Sequence, residues 1–524
     1  VTAFQIIKGG KAIADKPNIL LITSDQHRWD CYGFEGRNIK TPHLDSLAAN
    51  GTRFSNAITP NLVCQPARAS ILTGMLPLTH GVYDNHVSLD PAVGEAGWAR
   101  GLANAGYNSA FIGKPHFGVN PNNTPYGAPE SRSDSAAFPD DWAGPYMGFD
   151  LAKIMILGHW HDLLPCEEPP RGQTFERWFW GHGKPGEAWR LWAEDAGPTP
   201  EAAQTWFSKL PAEWHSTTWV TECTLDFLGQ HADEAEPFCA WVSYPDPHHP
   251  FDCPEPWSRL HHEDDVDISR THERDLDKRP WWHRAALENT PQAKHEYERI
   301  LRQEYSRIAP QTDRQLAQMT ANYYGQIAFI DHGVGQILQK LEETGLADNT
   351  YVVFTSDHGD FMGDHGLYLK GPTPYDGALK LGMIVKGPGV PADRVVAEPV
   401  SSVDFAATFY DWAGQETPDN IQSESLAGML AGHEEARHVA YSEWHQQSSR
   451  TGVELNLRTV RTKTAKLTLE LISGEGELYN LLDDPDEMVN RFNDPGAAAL
   501  KKELTDMIRA RPGSIMEEMP EHEA

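Results

Sequence analysis

Several short apolar runs in this chain stop abruptly at acidic or amide side chains, and that pattern restricts the fold more than any other feature. Residues 18 to 26 read NILLITSDQ, an Ile- and Leu-rich run followed by Asp25 and Gln26. Residues 350 to 363, TYVVFTSDHGDFMG, repeat the design with Asp357 and His358. PFCAWVSYPDPHHPF, 237 to 251, ends in a turn that carries His248 and His249. A short apolar run without alternation suits a strand buried on both faces, as in parallel sheets covered by helices. Helical patterns lie between the runs. TPHLDSLAANG offers a start at Thr41-Pro42, apolar Leu44, Leu47 and Ala48, and a stop at Gly51. GYNSAFIGK then supplies another strand. The alternation predicts an α/β fold with a large central sheet, mainly parallel or mixed, flanked by helices.

Two regions break the rhythm. Residues 119 to 235 are rich in Pro, Gly, Asp and Trp, and 13 of the 17 tryptophans fall between Trp142 and Trp282. Insertions over one end of the sheet, shaping a pocket, are expected there. Beyond about residue 420, alternating stretches such as LRTVRTKTAKLTLEL and GELYNLL predict a smaller antiparallel sheet with a terminal helix. The expected organisation is a catalytic α/β domain over 1–420 and a smaller α+β subdomain over 421–524.

With 44 Lys and Arg against 75 Asp and Glu, the chain carries a net charge of -31. Such a field repels nucleic acid and anionic membrane surfaces. It does not repel a small anion held by local cations, because bulk fields are screened over about 8 Å at physiological salt. No stretch approaches the ~20 apolar residues of a membrane span. The N-terminus lacks a basic segment, an apolar core and a small-residue cleavage site. Six cysteines without regular spacing read as free thiols. A cytoplasmic protein is expected, a periplasmic one if a precursor was processed, and a homo-oligomer is compatible with an acidic chain of this size.

Ligands bind beyond the carboxyl ends of the strands of open α/β sheets. If the first and second quoted runs are neighbours, Asp25, Gln26, Asp357 and His358 converge there. Carboxylate and amide oxygens suit Ca²⁺ or Mg²⁺, and an imidazole nitrogen leans towards Mn²⁺. A polar pair after a strand is by itself no more than a turn. Cys64 strengthens the case. In NLVCQPARASILTG, 61 to 74, it begins the pattern Cys-x-Pro-x-Arg with Pro66 and Arg68, which arises by chance in about 1 to 2% of such chains at ordinary Pro and Arg frequencies. A lone cysteine is usually a small buried hydrophobe, and the polar neighbours Gln65 and Arg68 fit that role poorly.

NLVCQPARASILTG resembles the signature of the formylglycine-dependent sulfatases of the alkaline phosphatase superfamily, in which a formylglycine-generating enzyme oxidises the cysteine to an aldehyde. GYNSAFIGKPHFG, 106 to 118, resembles a second signature of that family through Gly113, Lys114 and His116. NILLITSDQ, PHHPF, TSDHGDFMGDHGLYLKG and GELYNLLDDPDEMVN follow in the family's order. Three positions depart from it: Ala67 replaces the usual Ser, Pro115 stands between Lys and His, and His358 occupies a metal position that is Asn in many arylsulfatases.

The resemblance implies a sulfate monoester substrate and one divalent metal, Ca²⁺ first, with Mn²⁺ or Mg²⁺ as alternatives. Its ligands would be Asp25, Gln26, residue 64, Asp357 and His358. It further implies that hydrated formylglycine from Cys64 attacks sulfur, assisted by Arg68. His116 would remove the second proton of the diol, His248 and Lys370 would serve the leaving oxygen, and Lys114 would hold sulfate oxygens. Asn85 would add a hydrogen bond, with His249 the alternative to His248. A phosphonate monoester or phosphodiester hydrolase on the same scaffold is the alternative enzyme. Formylglycine phosphonate hydrolases resemble this set elsewhere but lack the Lys-x-His pair. An unmodified Cys64 would instead leave a non-catalytic anion-binding protein.

Overall fold

The structure, a computed structural model, describes residues 16–118, 129–130, 137–155, 174–433 and 437–520. Its strands are the apolar runs of the sequence: β1 (Asn18–Ser24), β2 (Thr52–Ile58), β3 (Asn108–Gly113), β4 (Leu151–Ile154), β5 (Phe238–Ser243), β6 (Thr350–Ser356), β7 (Lys380–Lys386), β8 (Arg394–Val396) and β9 (Val400–Ser401). Their order across the sheet is β4-β3-β5-β1-β6-β7-β2-β8, with β9 also on β2. From β4 to β6 every pairing is parallel. β7 runs antiparallel to both its neighbours, so the sheet is mixed.

β1 sits at the centre and every residue in it is buried. Ile19 and Leu21 face one layer, with Ile71, Trp98 and Phe409. Leu20 and Ile22 face the other, with Leu44, Val220 and Val334. The run is continuously apolar because both faces of a central parallel strand are covered. The helix expected after Thr41-Pro42 spans Pro42–Ala49. A 31-residue helix, Asp313–Glu343, packs beside the helix Ser216–Gln230 on the second face.

In the stretch 119–235, where insertions shaping a pocket are expected, Glu130 and Met155 line the cavity over Cys64. The parts 119–128, 131–136 and 156–173, with Trp160 and Cys166, lie outside the described residues. The remainder contributes strand β4 and three helices, Thr174–Trp180, Glu187–Ala193 and Ser216–Gln230. Trp178, Trp180, Trp189, Trp192, Trp214 and Trp219 pack into the core on the second face of the sheet. Large indoles bury the most apolar area per residue, which is what helices added to a sheet edge require.

The C-terminal part forms a second sheet in the order β10 (Ala440–Gln446), β11 (Leu455–Arg461), β12 (Ala465–Glu470), β13 (Gly476–Asn480), all antiparallel. The helix Ala498–Arg509 covers it through Leu504. No helix among the described residues is long and apolar enough to cross a membrane. Cys31, Cys64, Cys223, Cys239 and Cys253 are free and buried.

Candidate active site

β1 and β6 are adjacent and pair in register, Ser24 opposite Ser356. The residues that follow, Asp25 and Asp357, therefore emerge side by side at the carboxyl end of the sheet. Both are wholly buried. The helix Cys64–Thr73 points its N-terminus at the same place, and Cys64 is its first residue. Asn61 accepts a hydrogen bond from the Val63 amide and Asn85 from the Gln65 amide, so side chains outside the helix satisfy its first donors.

Four side chains meet within 4.8 Å of one another: Asp25, Cys64, Asp357 and His358. The thiol lies 3.2 Å from His358 Nε2 and 3.6 Å from Asp25 Oδ1. His358 Nδ1 lies 2.9 Å from the Gly359 carbonyl and donates to it, which turns Nε2 towards the cluster. Two carboxylate oxygens, an imidazole nitrogen and a sulfur or oxygen of residue 64 make a donor set that fits a divalent cation. Gln26, expected among these ligands, has its amide engaged with Asp360, at 2.6 Å, and with His249.

Arg68 lies one turn into the helix and has no exposure. Its Nε donates to Asp357 at 2.9 Å and one terminal nitrogen to Asp25 at 3.3 Å; the other reaches the Lys114 carbonyl and the Ser243 hydroxyl. It clamps the two carboxylates and the backbone of the Lys114 turn. That turn depends on Gly113, at φ +117°, where a Cβ would lie 1.9 Å from the Ser243 carbonyl oxygen. Lys114 Nζ pairs with Asp25 at 2.6 Å. Burial opposes its charge, but Asp25 and Cys64 outweigh burial and hold its pKa above the usual lysine value.

Lys370 Nζ is 3.0 Å from the Cys64 sulfur and 3.2 Å from His358 Nε2. Burial would raise the pKa of the Cys64 thiol, yet Lys370, Lys114 and His358 together press it well below the ordinary thiol value. The site favours negative charge at residue 64. His116 also contacts Cys64; burial depresses its pKa to about 4, so it is a neutral base at physiological pH. Burial, then Lys370 and Lys114, lowers His248 to about 3. His248 Nδ1 lies 2.5 Å from the His249 carbonyl, which leaves Nε2 as the acceptor. The two rings stack at 4.1 Å.

A cavity of about 140 Å³ opens over Cys64, and Asn85, Lys114, His116, His248, His249 and Lys370 all line it. No tryptophan does. Sequence reasoning missed Asp360, whose Oδ1 accepts the Met362 and Leu369 amides and so fixes the loop that ends at Lys370. Its signal was present as the third polar anchor in SDHGD. It also missed Arg274, Arg302, Arg307 and Arg450, which line the cavity from three separate segments and carry no common spacing.

Comparison with known proteins agrees with this geometry. Residues 17–415 match the sulfatase family model, and residues 363–512 match the model of the N-sulphoglucosamine sulphohydrolase C-terminal region. An arylsulfatase of Clostridium perfringens is 29% identical over 91% of this chain and 90% of its own. The phosphonate monoester hydrolase from Silicibacter pomeroyi shares the fold, with a TM-score of 0.75 at 23% identity over 95% of each chain. That of Agrobacterium radiobacter has a TM-score of 0.71 at 25% identity over 94% of this chain and 96% of its own. With the family model spanning most of its length, the chain belongs to the sulfatase family.

Proposed function

We propose that this protein hydrolyses sulfate monoesters with a nucleophile made from Cys64 by conversion to formylglycine. The observation that carries the proposal is the placement of Cys64: at a helix N-terminus, against two buried carboxylates, with Lys370, Lys114, His116 and His358 around it. A plain buried thiol needs none of these neighbours.

Asp25, Asp357, His358 and residue 64 would hold the divalent cation. Bound there, the cation would neutralise the carboxylates and polarise the sulfate as a Lewis acid. Two carboxylates favour Ca²⁺; His358 moves the preference towards Mn²⁺. The chain's own groups do the remainder. Residue 64, as the hydrated aldehyde, offers one hydroxyl to sulfur, and the sulfur–oxygen bond to the alcohol breaks. Loss of the second hydroxyl's proton to His116 then re-forms the aldehyde carbonyl and expels sulfate. Lys114 and Lys370 stabilise the sulfuryl oxygens, and His248, which lines the cavity beside Cys64, exchanges a proton with the alcohol oxygen. Arg68 orients the carboxylates. Asn85 can donate from its amide nitrogen while its oxygen holds the Gln65 amide.

Peptide mass spectrometry across residues 61 to 74 should find sulfur and two hydrogens replaced by one oxygen at residue 64, in material matured with a formylglycine-generating enzyme. Cys64→Ala should lose turnover and keep its melting temperature within a few degrees, since a thiol contributes little burial. A wholly unmodified thiol in active protein would overturn the mechanism.

One observation favours a second chemistry. His358 in the metal cluster, together with the likeness to phosphonate monoester hydrolases, suits phosphonate or phosphodiester hydrolysis on the same scaffold. Lys114 and His116 at Cys64 favour sulfate. Steady-state rates on an aryl sulfate, a phosphodiester and a phosphonate with the same leaving group decide between them, sulfate being the expected winner.

A further inference from the structure

The cavity over Cys64 contains more positive charge than one sulfate requires. Lys114 and Lys370 already flank the nucleophile. Four arginines, Arg274, Arg302, Arg307 and Arg450, line the same cavity in a chain whose net charge is -31. Among the described residues, its acidic lining residue is Glu130, which accepts from the Phe117 and Gly118 amides and the Tyr146 hydroxyl.

Arg302 is the informative member. It is 8% exposed, yet makes no hydrogen bond or ion pair with any described residue. Glu298, one turn earlier, lies within electrostatic reach but is turned to His86, at 3.4 Å. None of its guanidinium nitrogens is sealed from solvent, so the planar fork of five donors stays accessible and suits a carboxylate or sulfate. It sits in a π-helical turn, Leu301–Tyr305, a distortion frequent at functional sites.

Of the other three, Arg274 and Arg307 are held by neutral groups and Arg450 by a carboxylate. Arg274 donates to the Gly366 and Ile308 carbonyls. Arg307 donates to the Asn289 and Thr451 carbonyls and to Gln303. Arg450 pairs with Asp84 at 3.2 Å. Arg450 is within electrostatic reach of both Cys64 and Arg302. Leu287, Leu301, Ile308, Leu367 and Tyr368 also line it and supply an apolar wall.

We infer that Arg302, supported by Arg450, Arg274 and Arg307, forms a second anion subsite, and that the substrate is a dianion: a sulfate ester whose alcohol carries a carboxylate or a second sulfate on an apolar frame. This rests on the sulfate reading of the Cys64 site. The ester's own charge goes to the lysines and the cation, and the distal anion completes the unpartnered guanidinium.

The test compares 4-nitrophenyl sulfate with analogues of matched leaving-group pKa that carry a ring carboxylate or a second ring sulfate, using the converted, metal-loaded enzyme. The expected kcat/KM is higher for the dianions by about tenfold, the worth of one charge-assisted hydrogen bond. The larger gain names the preferred anion. Arg302→Gln should erase that ratio through KM, and Arg302→Lys should restore part of it, with melting temperatures confirming that both variants fold. A wild-type ratio near one, or a ratio untouched by Arg302→Gln, overturns the subsite. If no sulfate ester is turned over, the functional reading fails by itself, and calorimetric titration still judges the subsite. There 4-sulfobenzoate should bind more tightly than benzenesulfonate, and the difference should vanish in Arg302→Gln; equal binding overturns it.

Discussion

A guanidinium without contact to water holds two carboxylates, a carbonyl and a hydroxyl at once, and Arg68 does so from the second turn of the Cys64 helix. Asp25 and Asp357 are fully buried neighbours. Burial and then Asp25 raise the pKa of Asp357, whereas Lys114, His248 and Arg68 together outweigh burial at Asp25 and depress its pKa. Lysine cannot replace this planar fork, because a single ammonium reaches few of the four acceptors. Arg68→Lys should lose about 3–5 kcal/mol of stability, as breaking a buried ion network does. It should also weaken divalent-ion binding. Urea unfolding and a melting-temperature titration with Ca²⁺ and Mn²⁺ measure the two effects, and wild-type values in both would show that Arg68 is not the clamp.

The long helix Asp313–Glu343 acts on the site and on its neighbours through single side chains. Tyr323 donates to the Gln26 carbonyl at 2.7 Å and accepts from the Arg28 amide, holding the turn after β1. Asp331 accepts from the Leu44 and His43 amides, capping the helix Pro42–Ala49 whose own Thr41 makes no cap bond. Burial raises Asp331 to about 7, more than those two amides lower it. A carboxyl whose folded pKa exceeds its unfolded value stabilises below the unfolded pKa, and that contribution is lost as pH rises through the folded one. The window therefore runs from about 4 to about 7. Asp331→Asn should gain on the wild type across it, by an amount on the order of a few kcal/mol, in chemical denaturation at successive pH values. A constant difference between variant and wild type across the window would contradict the shift.

At the scale of the whole molecule, the C-terminal sheet is tied to the segments that flank the Cys64 helix. Glu443 on β10 accepts from both Arg511 and the Leu78 amide, its backbone amide donates to the Pro60 carbonyl, and its carbonyl accepts from Asn61. Asn61 in turn accepts from the amide of Val63, the residue that precedes the Cys64 helix. Removing one partner of a buried pair strands the other, so Glu443→Gln should destabilise the protein by about 3–5 kcal/mol. Arg511→Ala should act in the same direction. The double variant should cost less than the sum of the two, as calorimetry on the four proteins would show. Additive losses would mean that the pair does not couple the units.

The chain by itself determined its strands, its motif residues and the carboxyl-end location of the site. Strand burial on both faces writes a continuous apolar run, and Asp25, Asp357 and His358, which end two of those runs, meet Cys64 at the carboxyl end of the sheet. NILLITSDQ and TYVVFTSDHGDFMG carried this in full, and Cys64, Lys114, His116 and Lys370 stood in recognisable local patterns. Only the tertiary structure decided that the tryptophans of the middle region pack the sheet, that Arg68 faces the carboxylates, and that Arg302 and Arg450 share the cavity of Cys64. Those facts depend on contacts between residues tens to hundreds of positions apart, and no local periodicity encodes which distant side chain will fill a cavity or lie within it.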